Sequence, residues 1–385
     1  MSTTTPTINT ARLRAEEFPV TERWAYLSHA SVGPLPQRTI RALDTINRAF
    51  STPHVWEAGE RANSGCQARE ALAGIVDAPT QRITFVASAG HGISVCAAGI
   101  GCAPGDEVVI PHAEYPSLAV PFLAQEYRGL RVRWAPKTAD GRTSLDAIAS
   151  AMNERTRAVA ISHVEYADGY RNDLRQLAAL CRERDALLIV DATQSMGAVP
   201  LDVDGWGVHA VVAHGYKWLH AGFGVGVMAL SEEGLARIRP THAGGRSVCK
   251  DPYVDEPELC WQSGAGRFIS GEPPHTLLAG LAASLTLVNE VGTSNVLPHV
   301  QALIDRLIPD VAAKGYTIAS DLAPDRRSQI VAITAGSRAA DTRAHVALSE
   351  AGVVTALRPR GIRVAPTFYN DASDIDRLVE ALPHL

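Results

Sequence analysis

LLIVDATQS (187–195) and AHGYKWLHAGFGVGVM (213–228) decide how this chain of 385 residues is read. In the first, the apolar run Ala186–Val190 leads straight into Asp191. The second starts on the tail of another apolar run, HAVVAH (209–214), and presents Lys217 in a loop of small residues. Gly222, Gly224 and Gly226 follow at alternate positions. Apolar on both faces, such runs fit the strands of a mainly parallel sheet covered by helices. ITFVAS (83–88), EVVIP (107–111) and AVAISHV (158–164) repeat the pattern, with helix-like segments at 144–153 and 172–184 between them. Ligands of such sheets bind beyond the carboxyl ends of the strands, where Asp191 and Lys217 would emerge.

Alone, Asp191 reads equally as a helix cap or a metal ligand. Lys217 alone reads as a solvated charge beside an ordinary glycine turn. Together they make chemical sense. They lie 26 residues apart, with one helix-and-strand unit between them, so neighbouring strands bring both to one ligand. Pyridoxal 5′-phosphate needs a lysine amine for its Schiff base and an acid that keeps its ring nitrogen protonated. SAGHG (88–92), which closes a strand and opens a helix, supplies the backbone amides and helix N-terminus that a phosphate requires.

Composition narrows the classes. A length of 385 residues suggests two or three domains at most. Hydrophobic residues at 46% and a net charge of -5 describe a globular chain without a basic field for nucleic acid or anionic lipid. The first twenty residues hold no apolar signal core, and no run of about 18 apolar residues suggests a membrane span. Cys66, Cys96, Cys102, Cys181, Cys249 and Cys260 are scattered without a CxxC pair, so reduced thiols in a cytoplasmic protein are expected.

Towards the end the pattern changes. Helices are expected at about 275–291, 297–314, 340–351 and 372–382, with strands near TIAS (317–320) and QIVAITA (329–335). The expected organisation is an N-terminal segment (1–20), a large cofactor-binding domain (21–285) and a smaller C-terminal α/β domain (286–385).

The order strand–Asp–Ala–x–Gln, strand–x–x–Lys and Gly-x-Gly-x-Gly resembles the class V aminotransferase and cysteine desulfurase group of fold-type I pyridoxal-phosphate enzymes. The resemblance begins at YLSHASVGPLP (26–36) and runs through EYPS (114–117), SHVEYADG (162–169) and GRFISGEPP (266–274). It ends at IRVAPTFYNDASDID (362–376). It implies an α/β fold with a large mainly parallel sheet domain and a smaller C-terminal domain.

The resemblance also assigns roles. It implies Lys217 and Asp191 as the cofactor's anchor and ring-nitrogen partner, Tyr115 over the ring, and Gln194 at the phenolic oxygen. Tyr166 would face the same edge. His214 and Tyr216 match the family's phosphate positions, beside Ala89, Gly90 and His91 of the helix start, where the family often has threonines; Arg363 would hold the substrate's α-carboxylate, with Arg358 and Arg360 as competitors. Many members carry histidine where Tyr115 stands, and a tyrosine near pKa 10 would mainly stack. Gly271-Glu272 replaces a Gly-Thr that reaches the partner subunit's phosphate in relatives, and a phosphate would repel this glutamate. The resemblance implies a homodimer in which residues 264–276 approach the neighbouring site.

The reaction is less legible. Cysteine desulfurases use a cysteine late in the chain, and none follows Cys260, which sets that reading aside. HGYKWLHAG and IRVAP are similar to kynureninase, but its usual Asp-Leu-Ala-His is replaced by Asp191-Ala-Thr-Gln194, and isopenicillin N epimerase-like members share local similarity. The expectation is a lyase of the C–S or other β-elimination type acting on an L-amino acid or conjugate. Aminotransferase, epimerase and decarboxylation-linked chemistry are the alternatives. A dehydrogenase would need GxGxxG after the first strand, and SAGHG lacks that spacing. A metal hydrolase finds no HxxxH or HxH among the thirteen histidines, and no metal is expected. A non-catalytic cofactor-binding protein would follow if Arg363 lay off the pocket.

Overall fold

In the computed structural model of the chain, the structure describes residues 8–52, 58–138, 141–250, 256 and 258–385. Its strands, in chain order, are β1 (Ala25–Tyr26), β2 (Ile83–Val86), β3 (Glu107–Pro111), β4 (Arg131–Ala135), β5 (Thr156–Ser162), β6 (Leu187–Asp191) and β7 (Ala210–His214). They continue with β8 (Gly226–Leu230), β9 (Thr317–Ile318), β10 (Val331–Thr334), β11 (Val353–Val354), β12 (Ala356–Arg358) and β13 (Gly361–Val364).

The apolar runs become the centre of a seven-stranded sheet in the order β2-β8-β7-β6-β5-β3-β4. β8 runs antiparallel to both neighbours, and the other strands run parallel to one another. Both faces are covered, and the two-residue period of a strand divides its side chains between two cores. Leu188 and Val190 of β6 join Val211 and Ala213 of β7 in one cluster. Leu187 and Ile189 join Ala210 and Val212 in the other, against the helix Ala89–Gly99. Burying each Leu, Ile or Val side chain contributes about 1.5–3 kcal/mol, so the paired clusters hold β6 and β7 rigidly and aim their carboxyl ends at one place.

A third cluster serves the C-terminal layer, where β12-β13-β10-β9 form an antiparallel sheet. That cluster also takes in Phe18, Leu27 and Ala30, and β1 pairs in parallel with β11. The smaller layer therefore draws on both ends of the chain. The division expected at about 285 falls inside the helix His275–Val291, whose Leu285 packs in the large core and Leu287 in the small one.

One expectation is corrected. Cys249 and Cys260 form a disulfide, so the six cysteines are not all reduced thiols. A short antiparallel connection, with Val248 bridged to Trp261 and Gln262 N donating to Ser247 O, brings their Cα atoms to 5.5 Å. Sequence separation alone could not show that return. Among the described residues no single helix is long and apolar enough to cross a membrane, and no cluster of three or more His, Cys, Asp or Glu side chains is placed to hold a metal.

Candidate active site

Asp191 is the last residue of β6, and Lys217 lies three residues beyond β7. The turn back into β8 uses Gly222 and Gly224 at φ 82° and 86°, a region that favours glycine. On the other side, Gly33 N donates to Tyr216 O at 2.8 Å. A Cβ on Gly33 would meet Lys217 O at 2.3 Å, so this glycine lets the N-terminal segment lie against the lysine loop.

Both charged groups are buried, Asp191 at 5% and Lys217 at 7% exposure, yet they form no ion pair with each other. Asp191 Oδ1 accepts from Thr193 N at 2.8 Å. Burial raises its carboxyl above the ordinary aspartate range, opposed by Thr193 and by Lys217. Burial lowers the Lys217 amine to about 8; Asp191 opposes this, and Arg363 and Arg358 add to it. Lys217 Nζ stands 5.7 Å from the ring centres of both Tyr115 and Tyr216. Tyr115, 39% exposed, meets the edge of Tyr166 with ring centres 5.2 Å apart.

The helix Ala89–Gly99 starts beside His214. Ala89 N donates to His214 Nδ1 at 3.4 Å, and Ser88 Oγ caps the helix by accepting from His91 N at 3.1 Å. Gly90 N has no protein acceptor among the described residues. Burial and then Lys217 lower His214 to about 4, so its ring is neutral and can accept. The His91 side chain turns back on the residues that lead into its helix, its Nδ1 accepting from Ala87 N at 3.2 Å.

Gln194 is more committed than the sequence suggests. Its Oε1 accepts from Trp218 Nε1 at 3.0 Å and its Nε2 donates to Ala30 O at 2.9 Å. One amide hydrogen is left for any ligand.

Arg363, in β13, reaches the same place from the C-terminal layer. It is 1% exposed and donates to Tyr166 O at 2.6 Å and to Ser31 Oγ at 2.7 Å, while its Nε has no partner. Burial, and then Arg358, push this guanidinium down from its ordinary value. Arg360 points elsewhere, bonded to Asp168 at 2.8 Å. Glu272 is held by Arg246 at 2.7 Å and His275 at 2.9 Å within its own chain.

Two groups escaped sequence reasoning. Ser31 sits between the arginines, and Glu114 lies buried under Tyr115. The Glu114 carboxylate accepts from Ser162 N and Oγ, both at 2.6 Å, and from Tyr115 N at 3.1 Å. Burial, with Asp191 adding, raises it to about 7. Both lie in segments quoted for the resemblance, YLSHASVGPLP and EYPS, but nothing local assigns either a role.

These residues fit pyridoxal 5′-phosphate. A buried lysine without a hydrogen-bond partner among the described residues, a buried carboxylate short of contact with it, an aromatic wall and a helix N-terminus with an open amide converge on one edge. A buried guanidinium without a carboxylate partner among the described residues matches the anionic end of an amino acid.

The comparisons with known proteins agree. The family model "Aminotransferase class-V" matches residues 25–378. A probable cysteine desulfurase of Methanothermobacter thermautotrophicus is 26% identical, covering 96% of each chain. The uncharacterized aminotransferase YcbU of Bacillus subtilis is 27% identical, covering 95% of each. Among solved structures, the apo cysteine desulfurase of Thermococcus onnurineus superimposes with a TM-score of 0.86 at 18% identity, covering 98% of this chain and 97% of its own. A C-DES mutant with glycine covalently linked to its PLP cofactor gives 0.85 at 23% identity, covering 95% and 98%. Relatives named cysteine desulfurase thus match almost end to end, and the exclusion drawn from the lack of a cysteine after Cys260 finds no support in them. The fold, the convergence of Asp191 with Lys217 and the match over residues 25–378 lead to one conclusion: the chain belongs to the class V aminotransferase family and is a pyridoxal-5′-phosphate-dependent enzyme of fold type I.

Proposed function

We propose that this enzyme is a lyase that breaks a C–S or other β-bond of an L-amino acid or amino-acid conjugate. The observation that carries the amino-acid part is Arg363, a buried cation without a carboxylate partner among the described residues, on the same edge as Lys217. The names of the sequence relatives, cysteine desulfurases at 26% identity, support sulfur chemistry.

Bound pyridoxal 5′-phosphate supplies the electron sink that lets a bond at Cα break. The chain's own residues do the rest. Asp191 holds the proton on the ring nitrogen. Arg363 grips the carboxylate with a planar fork, and so fixes which Cα bond faces the ring. The Lys217 amine moves the Cα proton. An amine lowered to about 8 is suited to that task, because a base works best with a pKa near the operating pH. Tyr115 and Tyr166 form the wall that positions the substrate.

A product assay on the holoenzyme with sulfur-containing amino acids tests the reading. Pyruvate, ammonia and a released thiol or sulfide are expected. Alanine with transferred sulfur would identify desulfuration, a C–S cleavage of a different course. A keto acid with neither ammonia nor sulfur product would make the enzyme an aminotransferase and overturn the lyase reading. The same reading has two chains associate as a cytoplasmic homodimer, with residues 264–276 facing the neighbouring site. A monomer by sedimentation that is active at nanomolar concentration would contradict it.

A further inference from the structure

Three arginines crowd the segment Arg358-Pro359-Arg360-Gly361-Ile362-Arg363, and the structure treats them differently. Arg360 is bonded to the carboxylate of Asp168. Arg358 and Arg363 have no carboxylate within ion-pairing distance among the described residues. Both instead donate to one neutral oxygen, Ser31 Oγ, at 3.2 Å and 2.7 Å. Arg358 satisfies one further hydrogen with the carbonyl of Leu357, at 3.0 Å. β12 and β13 are antiparallel neighbours, with Arg358 opposite Gly361 and Ala356 opposite Arg363, so both guanidiniums rise from one hairpin.

Two cations on one hydroxyl repel each other, and a serine oxygen offers only lone pairs in return. Buried or half-buried charges are normally paired. A single α-carboxylate satisfies one guanidinium fork through its two oxygens. That leaves the second cation to be matched.

We propose that Arg358, with Ser31, forms a second anion subsite for a negatively charged group at the far end of the substrate's side chain. The substrate class is therefore an amino acid with an anionic side-chain terminus, a carboxylate or an oxidised sulfur acid, with the bond to be broken between its two anionic ends. Ser31 sits between the two guanidiniums and sets their spacing. This deepens the reading of Arg363 as the α-carboxylate clamp, and rests on it.

Equilibrium binding to the holoenzyme tests this, with no turnover required. L-aspartate, L-glutamate and L-2-aminoadipate are each titrated against the corresponding side-chain amide, by calorimetry. At least one acid is expected to bind about tenfold or more tighter than its amide. In Arg358→Gln that ratio should collapse to near one, and Arg358→Lys, which keeps the charge, should restore part of it. Arg363→Lys should weaken acid and amide by the same factor and leave the ratio alone. Absorbance of the bound cofactor verifies that each variant is folded and loaded.

Equal binding of acid and amide in all three pairs would overturn the proposal. A ratio untouched by Arg358→Gln would overturn it too, because Arg358 would then share the α-carboxylate. If the acid preference is found but the product assay shows no C–S or other β-cleavage, the lyase reading fails and the subsite stands. Cleavage without any acid preference has the reverse meaning.

Discussion

The two walls of this site are built in opposite ways. Asp191 and Lys217 come from adjacent strands, each at the end of a run that is buried on both faces. Ser31 and Arg363, which meet at 2.7 Å, are 332 residues apart, and Arg363 joins Tyr166 across 197. The cofactor wall is thus specified by local pattern, and the substrate wall by the docking of the C-terminal layer onto the N-terminal segment. The first holds a lysine and an acid that oppose each other's shifts; in the second, Arg358 and Arg363 have no carboxylate within ion-pairing distance among the described residues. A rigid wall serves a permanent cofactor, and a wall of uncompensated positive charge suits an anion that comes and goes.

The comparison breaks most easily at Lys217. Lys217→Ala should lower turnover by about a thousandfold or more, towards the upper range for a positioned proton-transfer group. Borohydride, which should fix the cofactor to Lys217 in the wild type, should then label no residue. Peptide mapping that found the label on Lys137, Lys250 or Lys314 would move the cofactor wall elsewhere.

Asp191→Asn comes next. The neutral amide keeps the shape but cannot hold the ring-nitrogen proton, so turnover should fall by roughly 3–4 kcal/mol of lost electrostatic stabilisation while most cofactor stays bound. Near-normal kcat would assign the ring nitrogen another partner.

Arg363→Lys probes the substrate wall. The charge remains but the fork is lost, so kcat/KM should drop by about 2–4 kcal/mol, the scale for a broken buried charge pair. Cofactor affinity should hold. If cofactor affinity fell as well, the two walls would not be separable.

This division also explains what the sequence could show. β3, β5, β6 and β7 were legible because burial on both faces leaves long apolar runs. β4 was not. As an edge strand it alternates exposed Arg131 and Arg133 with half-buried Val132 and Trp134, which reads as surface. β1 and β11 hold two residues each, too few for any period. In the site, Asp191 and Lys217 were legible as strand-end groups. Gln194 was named for its position, but its engagement with Trp218 and Ala30 is a tertiary fact. His91 was read from its helix start, yet its ring bonds to Ala87. Ser31 and Glu114 lie in segments that carry the family resemblance but were given no role, since nothing local says which buried polar group will face which.

The pH dependence of cofactor capture gives a smaller effect. Only the unprotonated Lys217 amine can attack the cofactor's aldehyde. With its value lowered to about 8, the reactive fraction should grow about tenfold between pH 7 and 9, then level off. An ordinary lysine would still be climbing at pH 10. Stopped-flow reconstitution of the apoenzyme measures this directly, and a rate still rising steeply above pH 9.5 would show that the amine is not desolvated as the structure has it.

Arg360→Gln should do least, and it sharpens the contrast with Arg363 three residues away. Arg360 is more than a quarter exposed, and its partner Asp168 is buried. Removing the guanidinium leaves that carboxylate accepting from Tyr170 N at 3.1 Å, with Arg142 at 4.0 Å. The loss should therefore appear as stability, about 1 kcal/mol, the upper end for a partly exposed pair. Substrate kcat/KM should stay within about twofold, since a change below 0.5 kcal/mol is ordinary for a residue outside the chemistry. Urea unfolding and steady-state kinetics on one preparation separate the two quantities. If Arg360→Gln instead lowered kcat/KM as far as Arg363→Lys, presence or absence of a carboxylate partner would not be what distinguishes the arginines of this hairpin. The substrate wall would then have to be redrawn around all three.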